Sequence, residues 1–240
     1  MDVEPTIDDL RAEANKSPVS RLHFDILMWR FNPPSYSAWV SRVEDALLYE
    51  VGLMTERRHD LHDLDEDALS AILNISLQNL NLDAGAKFVN GNTDITVQYN
   101  SYKWLGEAKF GADVGKVLKG YLQLTTRYTT GMDGQSSGGM LIYCPHGSAK
   151  TALAGWRAAL QHEFPDCNAR DGSSDLIFRS EDTCMATDAK LDIVHIAVPL
   201  FHNPQDPVRK ISPAAVAAAR AARAKVRAED GDDSVEDDSD

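Results

Sequence analysis

Residues 91–110 of the chain read GNTDITVQYNSYKWLGEAKF. Two runs of β-branched, aromatic and alternating residues flank the dipeptide Asn100-Ser101, which is typical of a turn. The stretch therefore predicts a β-hairpin whose first strand opens at Asp94 and whose second strand carries Glu107 and Lys109. Because Glu107 and Lys109 are two residues apart, we expect their side chains to share one face of that strand.

The predicted hairpin brings Asp94 beside Glu107. Two carboxylates at short range repel each other in a low dielectric, and a divalent cation removes that cost by using both as oxygen ligands. Mg²⁺ suits such a site because it takes one or two protein carboxylates and leaves positions for water and a phosphate. Lys109 is then expected to pair with a phosphate or to orient an attacking water.

The same charges have a plainer interpretation, a solvated strand with Glu107 and Lys109 on its wet face. Their surroundings argue against it. They lie between the apolar segment 104–106 and Phe110, as in an interior strand, where charges are unusual unless they are paired or hold a metal.

Hydrophobic periodicity places helices around the hairpin. One is predicted at about residues 65–80, with an acidic first turn that the helix dipole favours. Another is predicted at about residues 113–128. The remaining elements, in chain order, are a short strand at 86–89, a glycine-rich loop at 129–139, a strand at 140–144, a helix at 151–164, and strands at 175–179 and 191–198. This order indicates an α/β fold with a mixed central sheet flanked by helices.

The chain divides into three predicted regions: an N-terminal appendage at residues 1–55, a main domain at 56–205, and a C-terminal segment at 206–240. In the last region, Ser212-Pro213 is typical of a helix start and precedes a run rich in alanine and arginine. The final twelve residues carry eight acids and no base, so we expect them to be disordered.

The composition excludes several classes of protein. The 240 residues are 43% hydrophobic and 25% charged, which is ordinary for a globular chain. No apolar run is long enough for a membrane-spanning helix, and the polar, acidic first residues predict neither a secretory signal nor a transit peptide. Three cysteines without paired spacing favour a reducing cytoplasm. The net charge of −13 neither supports nor excludes a nucleic-acid partner, because the final acids account for eight of those charges.

Two strings carry a family resemblance: Gly91-Asn92-Thr93-Asp94-Ile95 and Gly106-Glu107-Ala108-Lys109-Phe110. With a helix on either side, they resemble the PD-(D/E)xK nuclease superfamily, and in particular its restriction-endonuclease-like branch. The resemblance covers about residues 60–145. It implies a restriction-endonuclease-like fold, a mixed central sheet flanked by helices.

By this resemblance, Asp94 and Glu107 bind the metal and Lys109 is the catalytic lysine. Glu66 matches a further glutamate on the helix before the hairpin, and Gln123 matches a glutamine on the helix after it. The plainer interpretations of these two are a helix-dipole acid and an exposed helix residue. The chain departs from the pattern in two places: Asn92 stands where a basic residue is common, and Lys119 where some members have glutamine.

The implied function is Mg²⁺-dependent hydrolysis of phosphodiester bonds in DNA, with Mn²⁺ as a substitute, in a setting such as a restriction or defence system. Two alternatives stay open. One is a non-catalytic nucleic-acid-binding or regulatory module that retains the nuclease fold. The other is an enzyme active only as a homodimer or with a partner subunit. The candidate phosphate contacts, which also fit a simple solvated face, are Lys87, Lys103, Lys116, Lys119 and Arg127.

Overall fold

The computed structural model describes residues 4–86 and 93–205, together with Ala214, Ala217, Ala218, Arg220 and Ala221. The described residues up to His202 belong to one compact unit and those from Asn203 onward to a second. Most of the predicted 86–89 strand, Lys87 and Asn92 lie outside the described residues. So does the predicted acidic tail, whereas the five isolated positions in the predicted alanine-rich helix are helical.

A seven-stranded mixed sheet forms the centre of the first unit, in the order β1-β2-β3-β4-β7-β6-β5. Strand β4 is parallel to both β3 and β7, and the other neighbours are antiparallel. The predicted α/β class and the hairpin of β2 and β3 are therefore present. The strands are β1 (Asp83–Gly85), β2 (Ile95–Tyr99), β3 (Tyr102–Phe110), β4 (Ser137–Cys144), β5 (Arg170–Asp171), β6 (Ile177–Thr183) and β7 (Lys190–Pro199).

Helices flank this sheet, and most begin at a capping side chain that accepts a hydrogen bond from a backbone N–H in the first turn. Asp65 and Asp113 cap the two helices nearest the hairpin in this way. The helices are α1 (Ile7–Ala14), α2 (Pro18–Met28), α3 (Tyr36–Glu56), α4 (Arg58–Leu61), α5 (Glu66–Asn79), α6 (Val114–Gln123) and α7 (Ala149–Glu163), and a π-helical turn (Leu124–Tyr128) continues α6.

Two hydrophobic clusters form the core, and alternate residues of β3 and β4 enter one or the other. Ala108 and Leu141 belong to the cluster packed by α3 and α5, which contribute Trp39 and Leu73. Leu105, Met140 and Ile142 belong to the cluster packed by α6 and α7, which contribute Tyr121 and Trp156. The sheet is thus covered by buried apolar residues on both faces.

Helix α3 lies in the predicted N-terminal appendage, yet it is built into the core. Its Trp39 and Leu47 are fully buried. An ion-pair network also joins it to the sheet, since Arg179 on β6 is 2.7 Å from Glu44 on α3 and 2.6 Å from Asp192 on β7. Burial and charge therefore fix α3 against the strands.

The glycine-rich segment departs from its predicted loop. Gly138 and Gly139 belong to β4, which begins at Ser137. A Cβ on Gly138 would meet the Leu105 carbonyl oxygen at 2.5 Å, and one on Gly139 would meet the Trp104 ring at 2.6 Å. These glycines let β3 and its bulky ring approach β4 closely, so here glycine signals tight strand packing rather than a turn.

Among the described residues, none of the helices combines the length and apolar character needed to cross a bilayer.

Candidate active site

The end of the β2–β3 hairpin holds Asp94 in a defined position. Ile95 pairs with Gly106 in the antiparallel register, so Asp94 lies next to the β3 segment that begins at Glu107. The Asp94 Oδ2 atom accepts a hydrogen bond from the Ala108 N–H at 2.8 Å. On the other side, Asn74 Nδ2 of α5 donates to the Asp94 carbonyl at 2.8 Å. Both the carboxylate and the backbone of Asp94 are therefore fixed.

The Lys109 ammonium joins the acids of this cluster. Its Nζ lies 2.7 Å from Glu107 Oε1 and 3.5 Å from Asp94 Oδ2, and it donates to the Ala108 carbonyl at 2.7 Å. The structure thus brings together the Asp, Glu and Lys that the sequence singled out. We call Asp94, Glu107 and Lys109 the acid–lysine cluster.

Glu66 reaches the same end of β3 from the first turn of α5. Its Oε1 accepts a hydrogen bond from the Phe110 N–H at 2.7 Å. Its charge acts on Glu107 and Lys109, raising the pKa of each as a smaller contribution. Glu66 is therefore more than a helix-dipole acid, because it ties α5 to β3 beside the acid–lysine cluster.

Gln123 is placed less closely. It is the last residue of α6 and is half-buried. Within the described part of the chain, no hydrogen bond or ion pair joins its side chain to Asp94, Glu107 or Lys109. Its role stays a prediction.

Burial dominates the electrostatics of the acid–lysine cluster. The Glu107 side chain is 4% exposed, against 18% for Lys109 and 25% for Asp94. Burial, followed by the charge of Asp94, raises the pKa of Glu107 to about 7, although Lys109 opposes the shift. For Lys109, burial lowers the pKa, but the hydrogen bond that it donates to Glu107 and the charges of Asp94 and Glu107 outweigh burial, so its pKa is raised.

One atom of the cluster lacks a partner. Glu107 Oε2 is buried and accepts no hydrogen bond from the described residues. Leaving a buried acceptor unpaired is costly, and a carboxylate oxygen is a ligand that Mg²⁺ prefers. The donor set at Asp94 and Glu107 therefore fits a hard divalent cation. Within the described residues, however, no group of three or more His, Cys, Asp or Glu side chains is arranged to hold a metal ion, so most ligands would have to come from water or substrate.

Helix α6 approaches the cluster at a glycine that sequence reasoning missed. A Cβ on Gly120 would lie 3.0 Å from Lys109 Cγ and 3.2 Å from Glu107 Cγ. A glycine inside a helix lowers helix stability. Its presence in the predicted helix is the one sequence signal that could have indicated a close contact between α6 and β3. Gly120 allows the helix to cover Glu107 and Lys109 and to exclude water from them.

Tyr128, in the π-helical turn, is a second residue that the sequence did not indicate. It is 3% exposed. Burial raises the pKa of its phenol, and the charges of Glu107 and Asp94 raise it further. The π-helical turn, a feature often found at functional sites, thus brings a phenol within electrostatic reach of the carboxylates.

The candidate phosphate contacts are arranged around α6. Lys116 and Lys119 on the helix and Arg127 on the π-helical turn are exposed, and Lys103 on β3 is half-buried. An exposed cation is free to meet a phosphate, and it is equally compatible with a solvated face. Their function stays a prediction.

The three cysteines, Cys144, Cys167 and Cys184, are buried free thiols.

No family model, curated protein or solved structure matches the chain. The functional argument therefore depends on the residues and geometry described above.

Proposed function

We propose that this protein is a metal-dependent nuclease that hydrolyses phosphodiester bonds in DNA. The observation that carries the proposal is the buried Glu107 carboxylate beside Asp94 and Lys109, one oxygen of which has no partner among the described residues. Natural cores pair nearly all buried polar atoms, so an exception in a charged cluster favours chemistry over stability.

The order of the elements supports a restriction-endonuclease-like fold. Helix α5 precedes the antiparallel strands β1, β2 and β3, and helix α6 then leads to β4, which is parallel to β3. This is the sequence of helix, Asp-bearing strand, Glu-x-Lys strand and helix that the family resemblance implies. The described part of the first string, residues 93–95, leads into β2, and the second string lies on β3, its neighbour in the sheet.

Asp94 and Glu107 are the residues that would hold Mg²⁺, or Mn²⁺ in its place. When bound there, the metal supplies Lewis acidity toward a phosphate and lowers the pKa of a coordinated water.

The chain's own groups hold the carboxylates in place and supply a charged hydrogen-bond donor. The Ala108 and Phe110 N–H groups hold the carboxylates of Asp94 and Glu66, so the acids keep a fixed geometry. Because the pKa of Lys109 is raised, its ammonium stays charged at neutral pH. It can donate N–H bonds to a phosphate oxygen or hold a water, and it stabilises negative charge that develops on the phosphate.

The alternative is a non-catalytic nucleic-acid-binding or regulatory module with the same fold. One observation favours it: the Lys109 ammonium pairs with both Glu107 Oε1 and Asp94 Oδ2, as in a structural ion cluster. Such a module needs neither metal affinity nor turnover, so experiment separates the two.

The test is cleavage of plasmid and oligonucleotide DNA with Mg²⁺ or Mn²⁺ by wild type, Lys109→Ala and Asp94→Ala. Lys190→Ala is the matched control, because Lys190 is an exposed lysine at the start of β7. We expect a loss of at least about 100-fold for the first two variants, since each removes a group that stabilises charge in the transition state, and no loss for the control.

Other results are informative. Undiminished cleavage by folded Lys109→Ala would falsify the mechanism. If wild type binds Mg²⁺ by calorimetry but cuts nothing, a homodimer contact or partner subunit is missing. If it neither binds Mg²⁺ nor cuts, the non-catalytic module is correct.

A further inference from the structure

An open cleft of about 510 Å³ lies beside the candidate active site. Two residues that line the cleft are chain neighbours of site residues: Phe110 directly follows Lys109 on β3, and Asp65 directly precedes Glu66, the first residue of α5. The volume falls within the roughly 300–1,000 Å³ of small-molecule sites. A group held in this cleft is therefore a near neighbour of any phosphate at the acid–lysine cluster.

The floor of the cleft is apolar and partly rigid. The Phe110 ring packs edge-on against the buried Tyr143 ring, with 6.4 Å between centroids, so it is held in place. The other apolar lining residues are Leu64, Gly111, Ala112, Cys144, Pro145 and Ala152. An apolar lining with a fixed aromatic ring suits a planar aromatic ligand, and nucleobases stack on such side chains whatever their sequence.

The rim of the cleft carries more acid than base. Its described lining residues include three carboxylates, Asp63, Asp65 and Asp113, and one lysine, Lys116. Asp65 and Asp113 each use one oxygen to cap a helix, which leaves the other oxygen as an acceptor. Carboxylates repel a phosphate but accept hydrogen bonds from exocyclic amino groups, as they do from cytosine in groove recognition.

A histidine on the rim is held in position as well. His62 Nδ1 lies 3.1 Å from the His59 carbonyl oxygen, and the His62 ring is 5.8 Å from the His202 ring. His62 Nε2 faces the Asp63 carboxylate, with Oδ2 at 3.4 Å, so the ring is held from both nitrogens. The acceptors for an amino-bearing base edge are therefore the free carboxylate oxygens of Asp65 and Asp113.

We propose that this cleft binds one unpaired nucleobase, bearing an exocyclic amino group, from the strand that the acid–lysine cluster cuts. The inference rests on the proposed nuclease function and specifies its substrate as single-stranded or locally unpaired DNA. A base stacked in a duplex cannot enter the cleft without being flipped out, whereas a single-stranded base enters at little cost.

The test fills the cleft. Ala112 is exposed and lines it, so Ala112→Trp introduces an indole that competes with the base. Ala158→Trp is the matched control, because Ala158 lies on the exposed face of α7, outside the cleft. The substrate is a single-stranded oligonucleotide whose cleavage position is mapped with wild type. A second version carries abasic residues on both sides of that bond.

We expect Ala112→Trp to lower kcat/KM on the intact oligonucleotide by about tenfold or more, the effect of losing one stacked base. The abasic version should be cut slowly by wild type and no more slowly by Ala112→Trp. Equal rates for wild type, Ala112→Trp and Ala158→Trp on the intact strand would overturn the base site and leave the nuclease proposal intact.

A binding measurement separates this proposal from the nuclease proposal. Wild type should quench the fluorescence of 2-aminopurine deoxynucleoside 5′-monophosphate, and Ala112→Trp should bind it about tenfold more weakly. Binding that Ala112→Trp blocks, by a wild type that neither binds Mg²⁺ nor cuts DNA, would keep the cleft assignment and reject the nuclease. Binding of equal strength in both proteins, or no binding to wild type, would reject the cleft assignment.

Discussion

Two buried polar side chains occupy one transverse row of the sheet and differ in how fully they are paired. Glu107 on β3 pairs in register with Met140 on β4, which pairs in turn with His195 on β7. His195 is satisfied on both ring nitrogens, with Trp156 Nε1 donating to Nδ1 at 3.0 Å and Ser180 Oγ lying 2.8 Å from Nε2.

Glu107, on the strand next to Met140, has one oxygen without a hydrogen-bond partner in the part of the chain that the structure describes. Burial displaces the pKa of both residues toward the neutral form, to about 7 for Glu107 and about 3 for His195. Between these two residues, complete pairing fits His195 to a role in stability, whereas the Glu107 oxygen beside Asp94 and Lys109 is available to a ligand. Burial and pKa alone do not separate the two.

Removal of His195 should have the largest effect on stability. His195→Ala opens a cavity and leaves Trp156 and Ser180 without a buried partner, so we expect it to lower the free energy of unfolding by about 4 kcal/mol. Glu107→Ala should cost less than about 1 kcal/mol at pH 8, because the lost packing is offset by removal of an unfavourable buried charge. Urea unfolding measures both, and equal losses would contradict the comparison.

Neutralising Glu107 should change the pH dependence of stability. Its pKa in the folded protein, about 7, lies above its ordinary value of 4.5, so the folded state binds more protons than the unfolded state between these values. The contribution of Glu107 to stability is therefore greatest below pH 4.5 and is lost as the pH rises to about 7. Metal-free Glu107→Gln should be more stable than wild type at pH 8 by about 2 kcal/mol. A gain that is the same at pH 4 and pH 8 would contradict the assignment.

Mg²⁺ should stabilise the protein through Asp94 and Glu107, independently of His195 on β7. At a Mg²⁺ concentration ten times its dissociation constant, the gain in the free energy of unfolding is about 1.4 kcal/mol. We expect this gain in wild type and in His195→Gln, and not in Asp94→Asn. Thermal unfolding with and without Mg²⁺ measures it, and a gain retained in Asp94→Asn would place the metal elsewhere.

The smallest effect tests the helix that covers Glu107. In an open position of a helix, replacing glycine by alanine stabilises by about 0.5–1 kcal/mol. A Cβ added to Gly155 on α7 would meet no atom within 4 Å, so Gly155→Ala should show that gain. Gly120→Ala should not, because its Cβ would press on Lys109 and Glu107. Equal gains would show that α6 does not fit closely over the acid–lysine cluster.

Sequence reasoning reached the hairpin and the closeness of its charges because both are local. Alternation over residues 95–110 and the turn at Asn100-Ser101 are sufficient to predict strands that bring Asp94 near Glu107. The short strand β1, at Asp83–Gly85, was missed because its signal lies in a segment that also ends a helix.

The features that could not be predicted from the sequence depend on contacts between distant segments. The contact of Gly120 with Lys109 and the hydrogen bond between Glu66 and the Phe110 N–H are set by how helices cross the sheet. Composition predicts a loop at Gly138 and Gly139, because it does not reveal the Leu105 backbone and the Trp104 ring that pack against them. His195 was unremarkable in sequence, since its partner Trp156 is 39 residues away.

The hairpin also bears on the order of folding. Asp94 and the Ala108 N–H are 14 residues apart, whereas β4 joins β7 across 55 residues, from Ser137 to Asp192. Short loops close faster than long ones, so the two carboxylates should meet before the β4–β7 pairing buries them. Their repulsion is then a feature of the early chain, where water still screens it. Full desolvation of Glu107 therefore belongs to the later step in which β4 pairs with β7 and the core around Met140 closes.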